Sequence, residues 1–198
     1  MRAHLYIEGA ESKEDQIRCR EGFRKLLERA GFAGRMPRLS ACGGRNAVFD
    51  DFRTAHGKSK AGDYVAMLID SEERMADVEQ AWAHLKSRDN WDKPDRAEDE
   101  QVLLMTTCME TWIVADVESL KNHYGHKLQE SALPPTHNLE DRSRSDVHDR
   151  LVQATRACSK AYRKGSRSFA LVGGLNPASL ESRLPSFKRL KRVLNERL

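Results

Sequence analysis

The 198-residue sequence predicts an α/β protein: a mostly parallel sheet flanked by helices, with a helical C-terminal extension. Three observations predict it. Short apolar runs alternate with segments of helical periodicity, which implies right-handed crossovers and helices on both faces of the sheet. Tyr64-Val65-Ala66-Met67-Leu68-Ile69 is apolar without alternation, as a parallel strand covered on both faces requires. Beyond Gly125 only helical stripes remain.

The first strand is read at Leu5-Tyr6-Ile7. Ser12-Lys13-Glu14-Asp15 then resembles a capping box, and Ile17, Phe23, Leu26, Leu27 and Ala30 recur near helical spacing until Gly31 ends the run. A second strand is expected over 38–42. The turn Gly43-Gly44-Arg45 follows, then a helix capped by Asn46 with Val48, Phe49, Phe52 and Ala55 inward. Residues 57–62 read as a polar loop, the third strand follows at Tyr64, and Val78, Trp82 and Leu85 suggest the next helix. Residues 87–99 form a charged loop without an evident core. Val102-Leu103-Leu104-Met105 is the fourth strand, leading into "CMETWIVAD" and a helix with Asp116 as cap. Ser145 is placed as the cap of a helix through Val147, Leu151, Val152 and Thr155, while Phe187, Leu190, Val193 and Leu194 stripe a terminal helix. The chain divides at 1–130, the α/β domain, and 131–198, the helical extension packed on it. Residues 133–144, rich in proline and charge, are the expected linker.

Composition narrows the function classes. Apolar residues at 39% and charged residues at 32% describe a soluble globular chain rather than a disordered one. No apolar run reaches membrane-spanning length, and Glu8 and Glu11 interrupt any signal-peptide pattern, so a cytoplasmic location is expected. The four cysteines lack metal-type spacing and read as reduced thiols. The seven histidines form no His-Glu-x-x-His pair, and no serine sits in a Gly-x-Ser-x-Gly elbow. A zinc enzyme and an ordinary esterase are thereby disfavoured. A net charge of +4 permits a nucleic-acid partner without arguing for one.

The strand ends carry the chemical signal. In an open parallel sheet the functional crevice lies beyond the carboxyl ends of the strands. Glu8 ends the first strand and Asp70-Ser71-Glu72-Glu73 ends the third. Alternation along an extended segment lets Asp70 and Glu72 face one point, and Glu8 joins them if the first and third strands are neighbours. Clustered carboxylates repel one another unless a cation neutralises them. A hard ion such as Mg²⁺ is the natural occupant, and it favours phosphoryl transfer or phosphodiester cleavage. Gly9 beside Glu8 allows close approach of a phosphate backbone. Taken singly, each acid reads as a solvated turn residue or helix cap, and only their joint placement is specific.

"LYIEG" followed by "VAMLIDSEE" resembles the Toprim domain of topoisomerases, primases and OLD-type nucleases. With "CREGFRKLLERAGFAGRMPR", "ACGGRNAVFDDF" and "CMETWIVAD", the chain is similar over nearly its whole length to a small bacterial Toprim-like family of unknown function, often encoded beside an ABC- or AAA-type ATPase in defence-related loci. The resemblance implies a Toprim-like sheet with Glu8 as general acid/base and possible ligand, and Asp70 and Glu72 as metal ligands. It implies a Mg²⁺- or Mn²⁺-dependent nuclease, with DNA or RNA as substrate, an ATPase partner, no membrane, and a homodimer as an allowed assembly. The second acid of the family pattern is an aspartate. Glu72 is one methylene longer, so Mn²⁺ or Ca²⁺ fits more easily than Mg²⁺ and Glu73 is a substitute ligand.

Secondary candidates follow from the residues themselves. Glu110 is a further ligand candidate, or else simply starts the helix containing Trp112, which is read as core. Lys160, Arg163, Lys164 and Arg167 around Tyr162 form a phosphate-gripping cluster, with Lys164 before Gly165 the preferred stabiliser of transition-state charge; a solvated face is the plain alternative. Arg45 is a comparable phosphate contact, whereas Lys188, Arg189, Lys191 and Arg192 read as the water-facing side of the terminal helix and His4 as a satisfied structural histidine. The rival function is a catalytically weak or inactive interaction subunit of an ATPase complex. A receiver-like signalling domain also fits the strand order, but Glu8 is single where receivers carry an acidic pair and no late-strand lysine is in place. Glu8 is expected to point into the crevice of Asp70; pairing with a core arginine would instead mark it as a turn residue.

Overall fold

The computed structural model describes residues 2–9 and 12–198; Ala10 and Glu11, which follow Gly9, lie outside the described residues. Four parallel strands, β1 (Ala3–Ile7), β2 (Arg38–Ala41), β3 (Tyr64–Asp70) and β4 (Val102–Met105), form one sheet in the order β2-β1-β3-β4. Ile7 lies opposite Ala41 on one side and Leu68 on the other, and Asp70 lies opposite Met105. Every β3 residue is buried, which explains why its sequence is continuous rather than alternating.

This order fixes the layers. The first crossover, through α1 (Lys13–Leu27), steps outward from β1 to β2. The next two, through α2 (Arg45–Gly57) and α3 (Ala81–Asp89), step the opposite way. Right-handed crossovers in opposite directions put their helices on opposite faces. The core accordingly divides: Phe23 and Leu26 of α1 belong to one cluster, and Phe49, Phe52, Trp82 and Leu85 of α2 and α3 to the other. A single helix leaves the α1 face undercovered. The rest is filled by α4 (Met109–Ala115), α5 (Val117–Tyr124), α6 (Arg144–Thr155), α7 (Ser166–Val172), α8 (Pro177–Arg183) and α9 (Pro185–Arg197), whose apolar residues share the α1 cluster.

Local chemistry accounts for most element ends. Ser12 caps α1 by accepting from the Asp15 amide at 3.0 Å, and Gly31, at φ 105°, closes a π-turn after the helix. Asp116 caps α5 through Ser119 N, at 3.3 Å. Several expectations need correcting. Gly44, not Asn46, precedes α2, and Ser143, not Ser145, caps α6 through Asp146 N. Ile17 is 48% exposed and Val152 is 37% exposed, so neither is core. The stretch 133–144 is no free linker, because Leu133 and Leu139 are buried and Glu140 accepts from Ser186 N and Oγ at the start of α9. Arg189 is 4% exposed and donates to the carbonyls of Val102 and Asp99 and to Glu79, so α9 carries a buried cation against β4. Trp112 is core, and His4 is paired with Ser40 at 2.8 Å. All four cysteines are free and buried. Among the described residues no helix is long and apolar enough to cross a membrane.

Candidate functional site

β1 and β3 are adjacent, and the connections that leave them run in opposite directions, so their carboxyl ends open a crevice at the switch point of the sheet. A cleft of 400 Å³ lies there. Its acidic wall is Glu8, Asp70 and Glu110, and Lys164 and Arg144 face it from the helical segment; Gly9, Asp15 and Phe169 also contribute.

Asp70 is the last residue of β3 and only 8% exposed. One carboxylate oxygen, Oδ1, accepts from Met109 N at 2.8 Å, so Asp70 caps the start of α4. Burial, and then the neighbouring charges of Glu8 and Glu110, push its carboxyl well above the usual range; the attraction of Lys164 is too weak to reverse this. Glu8 leaves β1 with its backbone N–H on Leu68 O, and its Oε2 accepts from Asp70 N at 3.1 Å. Burial raises Glu8 as well, against the opposing pull of Arg45 and the Asp70 amide.

Glu110 is fully buried at the first turn of α4. Tyr162 Oη donates to Oε1 at 2.7 Å and Lys164 Nζ lies 3.4 Å from the same oxygen, while Oε2 has no partner. Burial alone would raise Glu110, but Lys164 and the Tyr162 hydroxyl outweigh it and hold the group below its ordinary value. Tyr162 is in turn pushed up, first by burial and then by the charge of Glu110. Three acids in one cleft thus differ in electrostatics: Glu110 is held below its ordinary value, and Asp70 and Glu8 are raised above theirs.

The structure brings Glu8, Gly9, Asp70, Glu110 and Lys164 to this cleft and leaves the other candidates elsewhere. Glu72 has φ 67°, which breaks the extended alternation that would have aimed it alongside Asp70. Its carboxylate is hydrogen-bonded to Arg144 and lies 4.0 Å from Arg88. Glu73 is exposed, outside the cleft lining. Arg45 lies behind Glu8 with 12% of its side chain exposed. Its guanidinium spans Asp89, at 3.0 and 2.7 Å, and donates to the Asp70 carbonyl; Glu8 is 3.8 Å away. Glu8 therefore lines the crevice and also has an arginine neighbour, but the arginine's hydrogen bonds go to other groups. Arg163 and Arg167 are exposed and do not line the cleft; Arg167 donates to the Ala161 carbonyl. Gly9 sits at φ 126°, a backbone conformation that side chains rarely adopt, and the Phe169 ring lies at ordinary contact distance, 3.4 Å, from where a Cβ would be.

Sequence reasoning did not assign Tyr162, Arg144 or Asp15 to the site. Tyr162 had a signal, as an aromatic among the cations preceding Lys164. Arg144 had none, because its role follows from where α6 begins, directly after the Ser143 cap. Among the described residues no three His, Cys, Asp or Glu side chains gather into a ready-made metal cage.

These features define a class: a parallel α/β protein with an acidic cleft, faced by a lysine, at the switch point of its sheet. A family model described as a domain of unknown function, DUF4276, matches residues 11–195, and the chain belongs to that family. No curated protein and no solved structure matches it. The matched span contains Asp70, Glu72, Glu110, Tyr162 and Lys164, and Glu8 lies just before it. The family shown is this one, with no Toprim or nuclease family beside it.

Proposed function

We propose that the cleft is the active site of a divalent-metal-dependent phosphodiesterase of the nuclease type. The observation that carries this reading is the buried, unpartnered Oε2 of Glu110 in a cleft that also holds Asp70 and Glu8. Mg²⁺ usually relies on one or two carboxylates, several waters and substrate phosphate oxygens, so a complete protein cage is not needed and the donor set is of the right chemistry. Asp70 and Glu110 would hold the ion, with Glu8 within the same cleft. When bound, the ion would supply Lewis-acid polarisation of a phosphoryl oxygen and acidify a water. Glu8, raised by burial, suits a proton-transfer role. Lys164 Nζ and Arg144 face the carboxylates and would take phosphate charge. The substrate this chemistry suits is DNA or RNA, and an ABC- or AAA-type ATPase is the partner implied by the Toprim-like resemblance.

Purified protein incubated with labelled DNA and RNA and Mg²⁺ or Mn²⁺ is expected to cleave at least one of them. Glu8→Gln and Glu110→Gln should each abolish cleavage without loss of fold. Cleavage that survives both substitutions would remove the cleft from the chemistry. A second reading, an interaction subunit with little activity of its own, is favoured by Glu72 being held by Arg144. Calorimetric titration separates the two: absence of Mg²⁺ and Mn²⁺ binding at millimolar concentration supports the interaction subunit.

A further inference from the structure

The two edges of the sheet are treated differently. At the β4 edge, α9 packs against the strand and the buried Arg189 donates to the Val102 carbonyl at 2.8 Å. At the β2 edge α1 packs beside the strand, and among the described residues no side chain donates to the outward carbonyls as Arg189 does at β4. Cys42 N donates to Ile7 O, and the alternation of a parallel ladder then turns the N–H and C=O of Leu39 and Ala41 away from β1. Leu39 and Ala41 are half-buried, and an edge row of unpaired backbone groups of this kind is a template for another strand.

Beside this edge lies a groove of 540 Å³ between α1 and β2 that shares no lining residue with the acidic cleft. Its apolar lining includes Ile17, 48% exposed, together with Met36 and Leu39. Arg20, Arg24 and Arg38 supply its charge. Glu21, the acid in the lining, is paired with Arg18, and Arg24 is paired with Glu28. Neither Arg20 nor Arg38 has an acidic partner among the described residues.

We propose that the β2 edge and this groove bind an extended acidic segment of a partner protein as an added parallel or antiparallel strand. Main-chain bonds to Leu39 and Ala41 supply the pairing, apolar side chains at alternate positions fill the groove over Ile17, Met36 and Leu39, and acidic ones meet Arg20 and Arg38. A second copy of the chain would set the same arginines against one another. A nucleic-acid strand would meet the cations but has no alternating donors and acceptors for the strand edge, and the groove lining contains no aromatic ring for base stacking.

The test uses the full chain and a labelled peptide of about six residues alternating glutamate and valine, the length of an average strand. Fluorescence anisotropy should rise saturably, and amide exchange at Leu39 and Ala41 should slow when peptide is bound. The double variant Arg20→Glu with Arg38→Glu, at one half-buried and one exposed position without acidic partners, should keep its thermal melt and lose about tenfold in affinity at low salt. A lysine–valine peptide that binds equally well, or binding that leaves Leu39 and Ala41 exchange unchanged, overturns the proposal. So does displacement of the peptide by a single-stranded oligonucleotide, or protection of the same amides by self-association without peptide.

Discussion

Gly22→Ala tests how the helical segment is docked. An alanine Cβ at position 22 would lie 2.3 Å from the Phe169 carbonyl oxygen, and the Gly22 Cα already lies 3.3 Å from where a Cβ on Gly173 would be. An ordinary carbon–oxygen contact needs roughly 1 Å more, so α7 must retreat by about that distance; a gap of this size forfeits a quarter to a half of each dispersion contact. Phe169, Leu171 and Val172, all buried, are the side chains displaced. Overpacking of this kind costs about 1–3 kcal/mol, and alanine in a helix returns about 1 kcal/mol, leaving a net loss of up to about 2 kcal/mol. For a chain of this size that corresponds to a fall in Tm of up to about 4–8 °C, read by circular dichroism or calorimetry. Because α7 carries Phe169 into the cleft, the metal binding proposed there should weaken too. Gly57→Ala is the control: it lies in α2 with open space where the Cβ would go, and it should leave Tm unchanged or slightly raised. A Gly22→Ala protein that melts above wild type would refute the close-contact argument.

Four further outcomes are expected. Arg189→Met should lose about 1–3 kcal/mol or more in denaturant unfolding, because the buried Val102 carbonyl loses its donor, while water can replace the one lost at the part-buried Asp99 carbonyl. Tyr162→Phe should cost about 1.5–3 kcal/mol by removing the hydroxyl from the buried Glu110 carboxylate, and a smaller loss would mean that water replaces it. Asp70 is raised in the fold, so the folded state retains a proton that the unfolded state has released; stability falls as pH rises from about 4 through the raised value, and Asp70→Asn should melt above wild type at neutral pH, with the gap closing below about pH 4. Glu140, pushed up to about 7 chiefly by burial, has the same sign: its contribution is complete below the ordinary glutamate range and lost as pH passes about 7. Glu140→Gln should therefore gain on the order of 3 kcal/mol over wild type above that pH and nothing in acid, measured by pH-dependent unfolding.

The strands and the first helices were legible because each depends on near neighbours. Apolar run length identified β3, and Ser12 announced the start of α1. What failed required distant information. The linker expected over 133–144 was read from proline and charge, but burial of Leu139 and the Glu140 contact to Ser186 are set by α9, far along the chain. Arg189 looked like surface because neither its helix nor its neighbours in sequence disclose the two carbonyls it serves. In the cleft, Glu8, Asp70 and Glu110 were found because strand and helix ends are local signals. The side-chain direction of Glu72 was not, since one left-handed residue after β3 reverses an argument that depends on extended backbone.

The sharing of one face between α1 and the C-terminal helices has a consequence for biosynthesis. All four strands leave the ribosome before Lys164, Phe169 and α7, which follow several seconds later at roughly 5–20 residues per second. Until then the part of the α1 face that α7 covers is open, and Gly22 lacks its Phe169 and Gly173 neighbours. The acidic wall is translated before its lysine, so the cleft is electrostatically complete only once Lys164 has been made.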